Sequence, residues 1–150
     1  MSLAKANQLY AYKDTEILTA DQGKLIVMLY DGAIRFLSTA SENMNHKTYD
    51  IVNTNIKKAQ DIITELMLSL NMNDGGEVAQ NLFNIYAYMK KRLLESNIKK
   101  DASIIHEILS LLTELRGAWE EAAKTESRNQ IPAGASGEKM APKAGFSIQG

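Results

Sequence analysis

The sequence predicts an all-α protein: an antiparallel up-down four-helix bundle with a short N-terminal capping segment and a flexible C-terminal tail. Three observations predict it. Four stretches of about twenty residues each carry apolar side chains at alternating spacings of three and four, the signature of one buried helical face. Both prolines of the chain, Pro132 and Pro142, lie beyond the last of these stretches, so the strongest helix breaker is absent before them. No run shows the strict alternation of a half-buried strand. With 150 residues, 45% apolar and 23% charged, the chain has the balance of one globular domain that can bury its own core.

Thr19-Ala20-Asp21-Gln22 reads as a capping box, so the first helix is expected from about residue 20. Ile26, Leu29, Ala33, Phe36/Leu37, Ala40 and Met44 follow one of its faces, and Asn43, Asn45 and His46 break it. The second helix is expected from about Tyr49 to Asn71, with the seam Val52, Ile56, Ala59, Ile63, Leu66, Leu70. Asn73-Asp74-Gly75-Gly76 supplies its stop. The third is expected from about Glu77 to Asn97, with the seam Val78, Leu82, Ile85, Met89, Leu93 and with Asn97 as a left-handed stop. Asp101 caps a fourth, to about Lys124, with the seam Ile105, Ile108, Leu112, Leu115, Trp119, Ala122. Short connections between such helices mean antiparallel neighbours. The expected organisation is a lid segment over 1–18, a bundle over 19–124, and a Gly/Pro/Ala/Ser-rich tail over 125–150.

Composition removes several function classes. There is no cysteine, hence no disulfide, thiolate metal site or cysteine nucleophile. A net charge of −1 argues against an electrostatic nucleic-acid binder, and the basic pairs Lys57-Lys58, Lys90-Lys91-Arg92 and Lys99-Lys100 fall on different helices beside acids. The longest apolar run, residues 25–30, is far too short to span a bilayer, and the N-terminus lacks the apolar stretch of a secretory leader. Neither membrane insertion nor export of the chain is expected, and the expected compartment is the cytoplasm. Glu-x-x-His, His-Glu-x-x-His, Walker A and Gly-x-Gly-x-x-Gly patterns are all missing, and the seams hold no carboxylate. No metal, cofactor or catalytic residue is expected, and the protein is expected not to be an enzyme.

The helices carry more apolar surface than a bundle core needs. On the first, Val27, Tyr30 and Ile34 widen the apolar arc. The third carries Ala79, Phe83, Tyr86 and Leu94 as a second stripe beside its seam. On the second, Ile51, Asn55, Lys58 and Ile62 form one band at spacings of four, three and four. Such surface must be covered. Either residues 1–18, with Tyr10, Tyr12, Ile17 and Leu18, fold over it, or a partner segment lies there, or a weak lid gives way to a better-binding partner. Asn55 and Lys58 would then serve the backbone groups of the occupant. The plain alternative makes both residues part of a solvated helix edge.

Residues 19–33, TADQGKLIVMLYDGA, resemble the opening helix of the FliS-type flagellar secretion chaperones. Ile56-Lys57-Lys58-Ala59-Gln60-Asp61-Ile62-Ile63-Thr64-Glu65-Leu66 resembles the second motif of that family, and residues 75–82 with 86–93 the third. Residues 97–101 and 118–122 resemble its end, and the likeness spans about 10–124 in order. The resemblance implies a cytoplasmic helical bundle. It binds the disordered C-terminal segment of flagellin, prevents premature polymerisation, and aids delivery to the flagellar type III export gate. A disordered amphipathic chain can cover a large surface at modest affinity, which suits release. The resemblance also implies that the leader exchanges with flagellin in the groove. It places Tyr12 at the leader's tyrosine and Ile17 at its apolar position, and puts Asn55, Lys58 and Ile62 in the groove. The expected flagellin-binding set is thus Tyr10, Tyr12, Ile17, Tyr30, Ile51, Asn55, Lys58, Ile62, Phe83 and Tyr86. The alternative function is a helical-bundle adaptor for another folded flagellar or regulatory protein. Asp21-Gln22 departs from the Ser-Pro usual in the family, and Ala87 from the usual Asp between two tyrosines.

Overall fold

A computed structural model describes residues 22–130, with side chains over 22–125. Four helices make up nearly all of it: α1 (Gln22–Glu42), α2 (Tyr49–Leu68), α3 (Gly76–Lys99) and α4 (Ala102–Gln130), with one 3-10 turn, His46–Thr48, between α1 and α2. There is no strand among the described residues. α1 packs closely against both α2 and α4, while α3 packs against α2 and α4 and stands diagonally across from α1. This is the square up-down bundle that the four seams and short connections demand. The capping box at Thr19 and the segments 1–18 and 131–150 lie outside the described residues.

The α2 seam behaves as its spacing requires. Val52, Ile56, Ala59, Ile63 and Leu66 are all buried, and Leu70, past the helix end, is half-buried against them. Ile105, Ile108, Leu112 and Trp119 of α4 close the other side. Each such aliphatic side chain withdrawn from water stabilises the fold by about 1.5–3 kcal/mol, so the shared seam dominates the energetics.

α3 is rotated from expectation. Its buried line is Ala79, Leu82, Tyr86, Met89 and Leu93, while Val78 and Ile85 are only partly buried. Tyr86 is therefore a core residue, and so is Tyr30 on α1. Their hydroxyls meet at 2.6 Å across the diagonal, with ring centroids 6.4 Å apart and planes tilted by 51°. Trp119 of α4 offers its indole N–H to the same pair. Burial, reinforced by the neighbouring Tyr86, drives Tyr30 far above the ordinary phenol range, and burial pushes Tyr86 up to about 12. Both stay neutral, so the contact is a hydrogen bond between two phenols inside the core. A buried hydroxyl needs such a partner, and this pair ties together the two helices that do not lie side by side.

The connections explain where helices end. α2 stops three residues before the expected Asn71. The Ser69 N–H donates to the carbonyls of Glu65 and Leu66, and the Asn71 side-chain oxygen accepts from the Asn73 and Asp74 N–H groups, folding the chain away. Gly76 then takes φ +58, a left-handed conformation that favours glycine, as α3 begins. The left-handed stop of α3 is Lys100, at φ 52, and not Asn97. Asn97 stays helical because its amide donates to Asn53 Oδ1 at 2.6 Å on α2. Lys100 is held by its Nζ, which donates to the Asn97 carbonyl and lies over the Tyr49 ring. Asp101 caps α4 as expected, accepting from the Ser103 N–H at 2.9 Å. α4 runs on to Gln130, six residues into the segment expected to be tail.

Candidate functional site

The α2 band Ile51, Asn55, Lys58, Ile62 faces outward beside α1. Two contacts fix how the antiparallel helices align. Lys58 Nζ lies 5.3 Å from the centroid of the Phe36 ring, and Ile62 Cδ1 lies over Gly32, 3.0 Å from where a β-carbon would stand. Arg35 covers Phe36 from α1 at 5.4 Å. Gly32 is buried, and its missing side chain makes room for the end of Ile62. Leu25, Met28 and Phe36 are half-buried along the α1 side. On the α2 side Ile62 is half-buried and Ile51 is 36% exposed. The Asn55 amide nitrogen donates to the Ile51 carbonyl at 2.9 Å, one turn back in its own helix, which holds the side chain along the band. The result is a shallow cleft between α1 and α2 with an apolar floor, an ammonium clamped over an aromatic ring, and a fixed amide on its rim.

Four of the ten expected binding residues therefore come together: Ile51, Asn55, Lys58 and Ile62. Tyr30 and Tyr86 do not join them. Both are sealed in the core with their hydroxyls paired, so the expectation that they widen an exposed surface is corrected. Phe83 is half-buried on a different flank. It precedes Lys90 and Asn97 by one and two heptads on α3, and those residues bond to Thr64 and Asn53 on the far side of α2. Phe83 thus lies along the α2–α3 seam and not in the α1–α2 cleft. Tyr10, Tyr12 and Ile17 lie outside the described residues.

Sequence reasoning missed Gly32, Phe36 and Glu65 as parts of this face. By spacing alone Phe36 falls on the seam, and Gly32 carries no signal of its own inside the opening motif. Glu65 could have been found by continuing the four-three-four rhythm of the α2 band, which next reaches 65 and 69. It is the buried carboxylate of the described residues, with 6% exposure, and burial pushes its pKa up. Its Oε2 has no hydrogen-bond partner among the described residues.

Two ion-pair networks elsewhere join helices to one another. Arg92 bridges Glu95 and Glu107 at 2.8 Å each, and the Tyr88 hydroxyl donates to Glu107, joining α3 to α4. Arg116 of α4 pairs with Asp31 of α1. Among the described residues no group of three His, Asp or Glu is placed to hold a metal ion, and no helix is long and apolar enough to cross a membrane.

Fold and cleft define the class: a small all-α bundle whose distinctive surface is a part-apolar cleft between two neighbouring helices. The chain belongs to the FliS family. The profile of the family described as Flagellar protein FliS matches residues 5–126. The flagellar secretion chaperone FliS of Bacillus subtilis is 33% identical over 132 residues, covering 88% of this chain and 98% of that protein. Its counterpart in Escherichia coli is 34% identical over 135 residues, covering 88% and 99%. The flagellar secretion chaperone FliS of Salmonella typhimurium is 33% identical over 130 residues, covering 85% and 96%. The likeness ties the chain to flagellum biogenesis and to a family of chaperones, which is not a family of enzymes.

Proposed function

We propose that this protein is a cytoplasmic export chaperone for flagellin. It holds the disordered C-terminal segment of flagellin in the α1–α2 cleft, keeps the subunit from polymerising early, and aids its delivery to the flagellar type III export apparatus. The observation that carries this reading is the cleft itself. Ile62 over Gly32 gives an apolar floor, and Asn55 and Lys58 on the rim offer polar partners to an incoming backbone. An unfolded chain that orders on such a surface gains apolar burial and loses entropy, which yields the modest affinity that release requires. Residues 1–18, carrying Tyr10, Tyr12 and Ile17, act in this reading as a displaceable cover.

Calorimetric titration of the full chain with a flagellin C-terminal peptide tests it. Binding with a large negative heat-capacity change and a gain in helicity is expected. No heat at concentrations on the order of tens of micromolar would overturn it. Ile62→Asp is expected to weaken binding at least about tenfold while leaving the bundle folded, because Ile62 is half-exposed. Ile63→Asp puts a charge into the core and is expected to unfold it. Equal loss of folding in the two variants would remove Ile62 from the site.

A further inference from the structure

Nothing in the packing of the described helices accounts for an acid at Glu65. It continues the outward band of α2 after Ile51, Asn55, Lys58 and Ile62, at the same spacing, yet it is more than nine-tenths buried. Its Oε2 is shut off from water and accepts no hydrogen bond from the described residues. Burial pushes the carboxyl up, as expected for an acid without donors. The alignment set by Lys58 on Phe36 and Ile62 on Gly32 brings Glu65 level with Leu29 of α1, an apolar stretch that includes Leu25 and Met28. Lys58 is no partner for it: the two are seven residues apart, about 10 Å along the helix, and Lys58 Nζ sits over Phe36. Stability alone would favour an apolar side chain at this place, since an unpaired buried acid is destabilising.

We infer that Glu65 fixes the direction and register of the polypeptide in the α1–α2 cleft, by accepting the free backbone N–H groups at the first turn of a helical stretch of that partner. The inference rests on the proposed binding of a flagellin segment. A helix entering an apolar cleft brings up to four N–H groups without intrahelical partners, together with the positive end of its dipole. Those groups need an acceptor once water is excluded, and the Glu65 carboxylate, turning out of its closed position as the partner docks, is the strongest acceptor a side chain can offer there. Lys58, two turns away along the same band, stands toward the other end, where a helix running from Glu65 directs its carbonyls and negative pole. The two charges give the cleft a polarity, and a helix laid the opposite way would meet both with the wrong sign.

The test uses the full chain and a flagellin C-terminal peptide. Glu65→Met is expected to raise the melting temperature of the free protein and to weaken peptide binding at least about tenfold. Glu65→Gln, which keeps the shape and one acceptor oxygen, is expected to weaken it less. A purely structural role predicts the reverse for stability: Glu65→Met melts earlier and binding is unchanged in the folded fraction, which would overturn the inference. If Glu65→Met fails to fold, Glu65→Gln at wild-type affinity overturns it equally. Direction is read separately. The chain has no cysteine, so Ser69→Cys or Ile51→Cys introduces a single thiol at either end of the band. Disulfide trapping is expected between Ser69→Cys and a cysteine at the N-terminal end of the peptide helix, and between Ile51→Cys and one at its C-terminal end. The reverse pairing, or equal trapping at both ends, overturns the inference. Wild-type protein that does not bind the peptide refutes the proposed function itself. Wild-type binding with an insensitive Glu65→Met refutes the role of Glu65 alone.

Discussion

Gly32→Ala separates the stability of the bundle from the openness of its cleft. Gly32 lies in mid-helix and has no positive φ, so an L-residue fits its backbone. Replacing a helical glycine by alanine gains about 1 kcal/mol of helix propensity. Against this stands one contact: the new β-carbon would meet Ile62 Cδ1 at 3.0 Å, and no other described residue outside its own helix lies within 4 Å. An ordinary carbon–carbon contact is about 3.5–4.0 Å, so the methyl end of Ile62 must give way by roughly 0.5–1 Å. That atom is the tip of a half-exposed side chain, and turning it away from its preferred rotamer costs about 0.5–1.5 kcal/mol. The two effects nearly cancel. The melting temperature, followed by far-UV circular dichroism, is expected to move by less than about 4 °C, given roughly 2–4 °C per kcal/mol for a domain of this size. Binding of a flagellin C-terminal peptide, measured by calorimetry on the same sample, is expected to weaken about tenfold or more, because Ile62 is displaced from its place over Gly32. A fall in melting temperature beyond about 10 °C would show that Ile62 is locked as core. Unchanged stability with unchanged affinity would show that the cleft floor is not where the partner rests.

Two further substitutions probe the frame. Tyr86→Phe removes one half of the diagonal hydroxyl pair and leaves the Tyr30 hydroxyl buried without that partner; a loss of about 1–3 kcal/mol is expected in urea unfolding, and a loss below experimental error would mean that Trp119 alone satisfies Tyr30. At the α2–α3 connection, Gly75→Ala drives a β-carbon to 2.6 Å from the Asn71 carbonyl oxygen and 2.5 Å from Ala79 Cβ, whereas Gly76→Ala meets none of the described residues within 4 Å but adopts a left-handed backbone. Gly76→Ala is expected to cost about 1 kcal/mol and Gly75→Ala more, and the opposite order in thermal melts would refute the steric reading of Gly75.

Much of this architecture is visible in the residue spacing, and the exceptions share a cause. The α2 and α4 seams are made of aliphatic residues, whose three-four rhythm alone states which face is inward. α3 misleads because tyrosine fits either a wet or a dry position. Tyr86 becomes core through a hydroxyl on a helix two elements away, and no periodicity within α3 can express that. The helix ends slipped for a similar reason: Asn97 stays helical through a bond to Asn53, forty-four residues earlier, so Lys100 takes the left-handed position. In the cleft, Ile51, Asn55, Lys58 and Ile62 were readable as one band because they share one helix. Gly32 and Phe36 were not, because their part depends on how α1 is aligned against α2. Glu65 gives no signal in the sequence, since carboxylates on an outward helical flank are almost always solvated.

The diagonal pair has a practical corollary in the choice of optical probe. Trp119 is the single tryptophan of the chain, and it is buried beside the hydroxyls of Tyr30 and Tyr86. Its intrinsic emission is a native sentinel of the bundle's interior, away from the α1–α2 rim. Melting will shift that emission to the red, whereas occupancy of the rim will leave it quiet unless α1 moves relative to α4.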